Sequence, residues 1–121
     1  MKLKIKESNE RIRKSIQANV TTNNPKLGDY FKIPVKEILK QIQKISPYSI
    51  GHSYPSYSRE GSKYTGIHFQ IQAGNSSLVE IDINLKTDKV VIYTWPNMYS
   101  DDEYMELQKK AVDIIADNVR T

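Results

Sequence analysis

Residues 64–95 read YTGIHFQIQAGNSSLVEIDINLKTDKVVIYTW, and the alternation within them decides the fold. Ile67, Phe69, Ile71 and Ala73 take every second position, with His68, Gln70 and Gln72 between them. Side chains of a strand point alternately to its two faces, so residues 64–73 form a strand with one apolar and one polar face. Val79, Ile81, Ile83 and Leu85 repeat the pattern over 78–86, with Glu80, Asp82 and Asn84 opposite. Residues 89–95, Lys-Val-Val-Ile-Tyr-Thr-Trp, are β-branched and aromatic and make a third strand. Gly74-Asn75-Ser76 and Lys86-Thr87-Asp88 are short turns, so these strands form a meander. A weaker strand over about 48–54 is expected to precede them through a long hairpin.

Turn length sets which side chains meet. A three-residue turn at 74–76 places His68 opposite Asp82, and a five-residue turn places it opposite Asn84. A three-residue turn at 86–88 points Tyr93 and Trp95 inward with Val91, and a two-residue turn points them outward. The inward orientation is expected, since tryptophan is mostly buried in folded chains.

Helices flank the strands. Pro34 suits a first helical turn, and Val35, Ile38, Leu39, Ile42 and Ile45 recur with helical period up to Ser46-Pro47, giving a helix over 34–45. Ser100 and Glu103 form a capping box for a second helix over 101–119, with Tyr104, Leu107, Ala111, Ile114, Ile115 and Val119 as its apolar stripe. A sheet with one polar face needs cover on one side only. The expected fold is therefore α+β: a two-layer sandwich of a four-stranded antiparallel meander with both helices on one face, in the order α-β-β-β-β-α. That order is similar to the double-stranded RNA-binding domain in topology. That family opens its last helix with phosphate-gripping lysines, where this chain has Ser100-Asp101-Asp102-Glu103, so the family is not assigned.

Upstream, Lys2 to Lys6 alternate like an edge strand. A helix from about Asn9 to Val20 is expected on Ile12, Ile16 and Val20, spaced four apart. Thr21 to Pro25 is rich in turn formers. The chain thus divides into a loosely attached basic arm and linker, 1–24, and a single α+β domain, 25–121. An amphipathic segment behind a flexible linker also suits exchange between copies, giving a homodimer.

The 121 residues are one domain's worth. The chain has no cysteine, which excludes disulfides, thiolate catalysis and cysteine-ligated metals. No apolar run approaches a membrane span, and no apolar stretch follows the basic N-terminus as in a secretory signal, so a cytoplasmic protein without a membrane partner is expected. The net charge is +4. Residues 1–14 hold six cations, Arg11 and Arg13 among them, against Glu7 and Glu10, so the whole excess lies there. A basic arm points to an anionic partner. Abundant Lys, Ile and Asn fit an AT-rich bacterium or its phage, whose small proteins often act as inhibitors or immunity factors.

The segment Tyr48 to Gly66 is the most distinctive. It carries four of the eight tyrosines, together with His52, Arg59, Lys63 and several serines. Tyrosine gives large contact area at low entropy cost, and aromatics with cations suit nucleic acid. Tyr54, Tyr57, Arg59, Lys63 and Tyr64, with Arg11 and Arg13, are the expected binding residues. Lys32, Lys36, Lys40 and Lys44 form a stripe that reads as the solvated side of the first helix. The expected function is a non-catalytic binding protein for nucleic acid, a nucleotide-like ligand or an acidic protein surface, needing no cofactor and no metal. The alternative is a small metal-independent ribonuclease, with His68 as base beside His52 and Asp82, and Arg59 and Lys63 on the phosphate. The chain has no Gly-rich phosphate loop, nucleophile elbow or zinc-protease motif.

Overall fold

A computed structural model of the chain describes residues 12–18, 35–95 and 101–119. The expected strand at 2–6, the linker, Arg11, Lys32, Pro34 and Ser100 lie outside them.

The fold is α+β. Its elements run β1 (Arg13–Gln17), α1 (Val35–Ile45), β2 (Ile50–His52), β3 (Ser56–Glu60), β4 (Lys63–Ala73), β5 (Ser76–Asn84), β6 (Lys89–Tyr93) and α2 (Asp102–Val119). The sheet has six strands rather than four, all paired antiparallel, in the order β1-β6-β5-β4-β2, with β3 also on β4. β4 is eleven residues long, and β2 and β3 share its outer edge. They form one edge strand broken at Ser53-Tyr54-Pro55, where proline has no N–H to give the ladder. Ser53 bridges the break: its N–H donates to the Gln70 carbonyl at 3.0 Å, and its Oγ accepts from the Gln70 N–H at 2.9 Å. The expected long hairpin is instead a tight one. Glu60 pairs with Lys63 across Gly61-Ser62, with Gly61 at the left-handed φ of 62° that such a turn needs.

The N-terminal segment overturns the helix expected at Asn9 to Val20. Arg13–Gln17 is a strand whose partner is β6, with Arg13 opposite Tyr93 and Gln17 opposite Lys89. A spacing of four, Ile12 to Ile16, fits periods of two and of 3.6 alike. The residues between decide it: Arg13, Ser15 and Gln17 are exposed, while Ile12, Ile16 and Ala18 pack on the core. Residues 12–18 are thus part of the sheet and not a loose arm. Lys14 Nζ also pairs with Asp113 of α2, tying this edge to the helical layer.

Ile67, Phe69, Ile71, Val79, Ile81, Ile83, Val90 and Ile92 make the apolar face of the sheet, each 3% exposed or less. Val35 and Ile38 of α1 meet Ile115 and Val119 of α2 around Phe69, Ile71 and Ile81. Gln43 holds the exit from α1, its side chain donating to the Tyr48 carbonyl and accepting from the Ile50 N–H, both at 2.8 Å. α2 is capped by Asp101, whose Oδ1 accepts the Tyr104 N–H at 2.8 Å. Burial, with the nearby Tyr48, raises the pKa of the Tyr104 hydroxyl, which donates to the Ser77 carbonyl at 3.1 Å.

The two turns of the meander set the faces. Gly74-Asn75 is a two-residue turn between Ala73 and Ser76, and a bulge then leaves Leu78 as an extra residue. Turn and bulge together give the register of a three-residue loop, with His68 opposite Asp82. Leu78 and Val79 are consequently both buried, and the buried Gln108 donates to the Leu78 carbonyl at 3.3 Å. The next turn corrects an expectation. Asn84 pairs with Lys89, so the turn holds four residues, 85–88. An even number reverses the facing derived from a three-residue turn. Val90 and Ile92 point into the core, and Val91 and Tyr93 lie on the polar face beside Asp82 and Glu80.

Removing β1 strips Ile12, Ile16 and Ala18 from the core and bares the β6 edge. A chain lacking residues 1–18 is expected to melt well below the full chain or without cooperativity, followed by circular dichroism. Lys14→Ala alone is expected to cost under about 1 kcal/mol, because its ion pair is solvent-exposed. Equal melting of the truncated and full chains would show that β1 adds nothing.

Candidate functional site

Both helices pack on the apolar face of the sheet, which leaves the even-numbered face of β4 open. Its side chains form rows across the strands. One row runs Ser56, His68, Asp82, Val91 and Ser15, and the next runs Ser58, Gly66, Asn84, Lys89 and Gln17. Between these rows lies a groove of about 590 Å³, lined by residues of β1, β3, β4, β5 and β6. It starts at Arg13, crosses Val91 and Lys89, and ends at Ser58, Glu60 and Lys86. Gly66 makes the floor. Its neighbours stand at ordinary distance from where a Cβ would sit, 3.5 Å to the Ser58 side chain and to the Ile83 carbonyl. The glycine is therefore not forced by crowding or by φ. Its effect is an open strip of backbone in mid-strand, the feature that marks close approach by another group.

The charges on the groove are partly spent. Glu60 of β3 pairs with Lys86 beyond β5, closing one end. The Lys86 hydrogen bond, then its charge, holds the Glu60 carboxyl below its usual range, with a smaller lowering from Lys63 and an opposing push from burial. Asp82 Oδ1 meets His68 Nδ1 at 2.5 Å, and the buried Glu80 Oε1 meets His68 Nε2 at 3.2 Å. Among the described residues, Arg13 and Lys89 have no ion-pair partner on this face. The groove thus offers two uncommitted cations and no uncommitted carboxylate from its own lining.

His68 is held between two carboxylates. Its Nδ1 hydrogen-bonds with Asp82 Oδ1, and its Nε2 faces Glu80 Oε1. His52 is not brought to it. His52 pairs with Ile71, a residue of the apolar face, and its Nδ1 meets the Ser53 carbonyl at 3.0 Å. Among the described residues, no group of three or more acidic or histidine side chains is arranged to hold a metal.

The expected binding residues divide. Arg13 lines the groove. Arg59, Tyr64 and Tyr57 form a cluster of their own at the β3–β4 hairpin, on the side of Ile67 and the core rather than on the open face. Arg59 donates to the Tyr64 hydroxyl at 2.5 Å with its guanidinium 4.5 Å from the Tyr64 ring centre, and Tyr57 meets Tyr64 edge-on at 5.4 Å. Tyr54 stands alone at the break in the edge strand, 94% exposed. Lys63 lies exposed at the hairpin turn, and Arg11 lies outside the described residues. Sequence reasoning missed Gly66, Lys86 and Lys89. Lys89 ends a row that only the register reveals, and Gly66 was the one available signal, a glycine inside a strand pattern.

No protein-family model matches the chain, and neither does any curated protein or solved structure compared with it. Among the described residues, no helix is long and apolar enough to cross a membrane.

The Glu60–Lys86 link has a definite pH sign. Its folded-state pKa is depressed, so the stabilisation is present above the unfolded value and is lost as pH falls through the lowered folded value. Carboxyl NMR titration is expected to show Glu60 titrating below the ordinary value of a glutamate, and rising toward that value in Lys86→Ala. A Glu60 midpoint unmoved by that change would show that the pair does not form.

Proposed function

We propose that the chain is a non-catalytic binding protein for an anionic partner: a nucleic acid, a nucleotide-like ligand or an acidic protein surface. The partner is held on the open sheet face, between the serines of the β3–β4 hairpin, Ser56 and Ser58, and the basic segment that includes Arg13. One observation carries this reading. The groove joins β3 to β1, and its carboxylates are occupied while Arg13 and Lys89 are not. An anion entering it meets two cations that no described residue offsets, beside Ser58 and Asn84.

Binding is favoured over RNA cleavage by the state of the histidines. Cleavage without metal needs a base within reach of the ribose hydroxyl and a second group for the leaving oxygen. His68 is engaged at both nitrogens, and His52 pairs toward the other face. A role filled by occupancy, as in an inhibitor, needs neither.

The full chain is expected to be retained on a heparin column at low salt, and an Arg13→Ala/Lys89→Ala double variant to elute at clearly lower salt. A variant with Tyr54, Tyr57 and Arg59 changed to Ala tests the hairpin cluster away from the groove, and its elution at lower salt than the double variant would move the binding surface there. Elution of the double variant at the salt of the parent would remove the groove as the binding surface. Cleavage of mixed RNA in the presence of EDTA, abolished by His68→Ala, would replace binding with catalysis.

A further inference from the structure

The open face carries a second feature beside its cations. Tyr93 pairs with Arg13 and with Glu80, on the polar side of the sheet, yet it is only 7% exposed. Two residues on, Trp95 meets Tyr93 edge-to-face, with ring centres 5.7 Å apart and planes at 83°. Trp95 itself stays 55% exposed. A tryptophan that is mostly solvent-facing is unusual for so large an apolar side chain, and here it rests against a buried ring that limits its movement. It is the chain's single tryptophan.

Exposed ring and cations lie on one path. Trp95 follows Tyr93, whose cross-strand partner is Arg13, and Arg13 opens the groove. From Arg13 the groove crosses β6, β5 and β4 to Ser58 of β3, four inter-strand steps or about 19 Å. Lys89 stands on its flank, and Gly66 leaves its floor bare. An acidic protein surface would use the cations and could cover the indole, but gains nothing from a strip of floor without side chains. A double helix keeps its bases stacked on one another and has none to lay on the indole. An unpaired polynucleotide uses every part: phosphates on Arg13 and Lys89, one base on the indole, and backbone or a second base over Gly66.

The geometry points to single-stranded nucleic acid as the anionic partner, lying across the strands of the open face with one base stacked on Trp95. The inference rests on the proposed binding of an anion by this face and adds its chemical class. The contacts it uses are stacking and charge, so the site accepts many sequences. Discrimination is between unpaired and paired strands rather than among bases.

The test uses the full chain at low salt. A labelled short oligouridylate is titrated by fluorescence anisotropy, with the matching duplex and polyglutamate as competitors. The intrinsic fluorescence of Trp95 is followed in parallel. The expected results are quenching of Trp95 by the single strand, and weaker competition by duplex and polyglutamate. Trp95→Ala is expected to lose about five-fold or more in affinity, and Trp95→Phe to recover part of it. Lys89→Ala is expected to flatten the salt dependence by about 0.7 of a log–log unit, the share of one phosphate contact on a single strand. Gly66→Ala is a separate probe, since its methyl finds ordinary contacts in the fold but stands on the groove floor. It is expected to weaken binding with an unchanged melting temperature. Polyglutamate competing as well as the single strand, with Trp95 fluorescence unmoved, would overturn the inference and leave the anion-binding reading standing. Duplex binding as tight as single strand would also overturn it. Absence of binding to every polyanion would remove both.

Discussion

The four-residue turn between β5 and β6 is the constraint on which the two faces of this sheet depend. Asn84 closes it by accepting the Lys86 and Thr87 N–H groups on its Oδ1, at 2.9 and 3.2 Å. Asp88 completes it in a left-handed conformation, φ 58°, which aspartate tolerates better than most residues. The Asp88 carbonyl then accepts the Ala18 N–H at 2.8 Å, so the same turn holds the end of β1. One residue fewer would send Val90 and Ile92 outward and Val91 and Tyr93 into the helical layer. Because β1 takes its register from β6, Arg13 would change sides with them. The core and the charge pattern of the open face are thus set by one loop.

The sheet spends its polar face in two ways. His68 between Asp82 and Glu80 ties β4 to β5 on the side that no helix covers, and Lys86 with Glu60 ties the β3–β4 hairpin to the β5–β6 turn. These links order the long β4 along its open side, and they engage the carboxylates that stand nearest the groove. What is left facing solvent is Arg13 and Lys89 over a floor of Gly66. His68, with a carboxylate at each ring nitrogen, is thus part of what orders this face.

Much of this was readable before the fold was known. The alternation of Ile67 to Ala73 and of Val79 to Ile83 gave the strands and their buried faces, because both are long and each has one consistently polar side. The pairing of His68 with Asp82 is one of the two that the sequence allows, and it arises from a two-residue turn plus a bulge at Leu78 rather than from a three-residue loop. The segment around Ile12 and Ile16 was misread because two apolar residues four apart satisfy both periods. It took the burial of Ala18 and the partnership with β6 to separate strand from helix. Tyr93 and Trp95 were misplaced for a different reason. Their facing depends on the parity of a turn, and Lys86-Thr87-Asp88 does not reveal that Leu85 belongs to it. The groove was illegible because it is made by five strands in register, and no local pattern announces which residues line up across a sheet.

The edges explain why a partner would meet this protein on its face. A sheet edge offers unpaired N–H and C=O groups and invites strand addition unless it is guarded. The β2–β3 edge is guarded in several ways. Pro55 interrupts it, a register shift falls between Ser58 and Arg59, and the hairpin ends in Arg59, Glu60 and Lys63. β2 is only three residues long, and every residue of β3 is exposed without forming a flat apolar strip. An added strand would therefore find a bent, interrupted and charged template. The open face has the opposite character: continuous across β3 to β1, tied by side-chain links, and bare at Gly66. A surface that resists pairing at its rim while staying accessible at its centre selects for ligands recognised through side chains rather than through backbone hydrogen bonds. That selection is what the cations and the exposed indole of this face require.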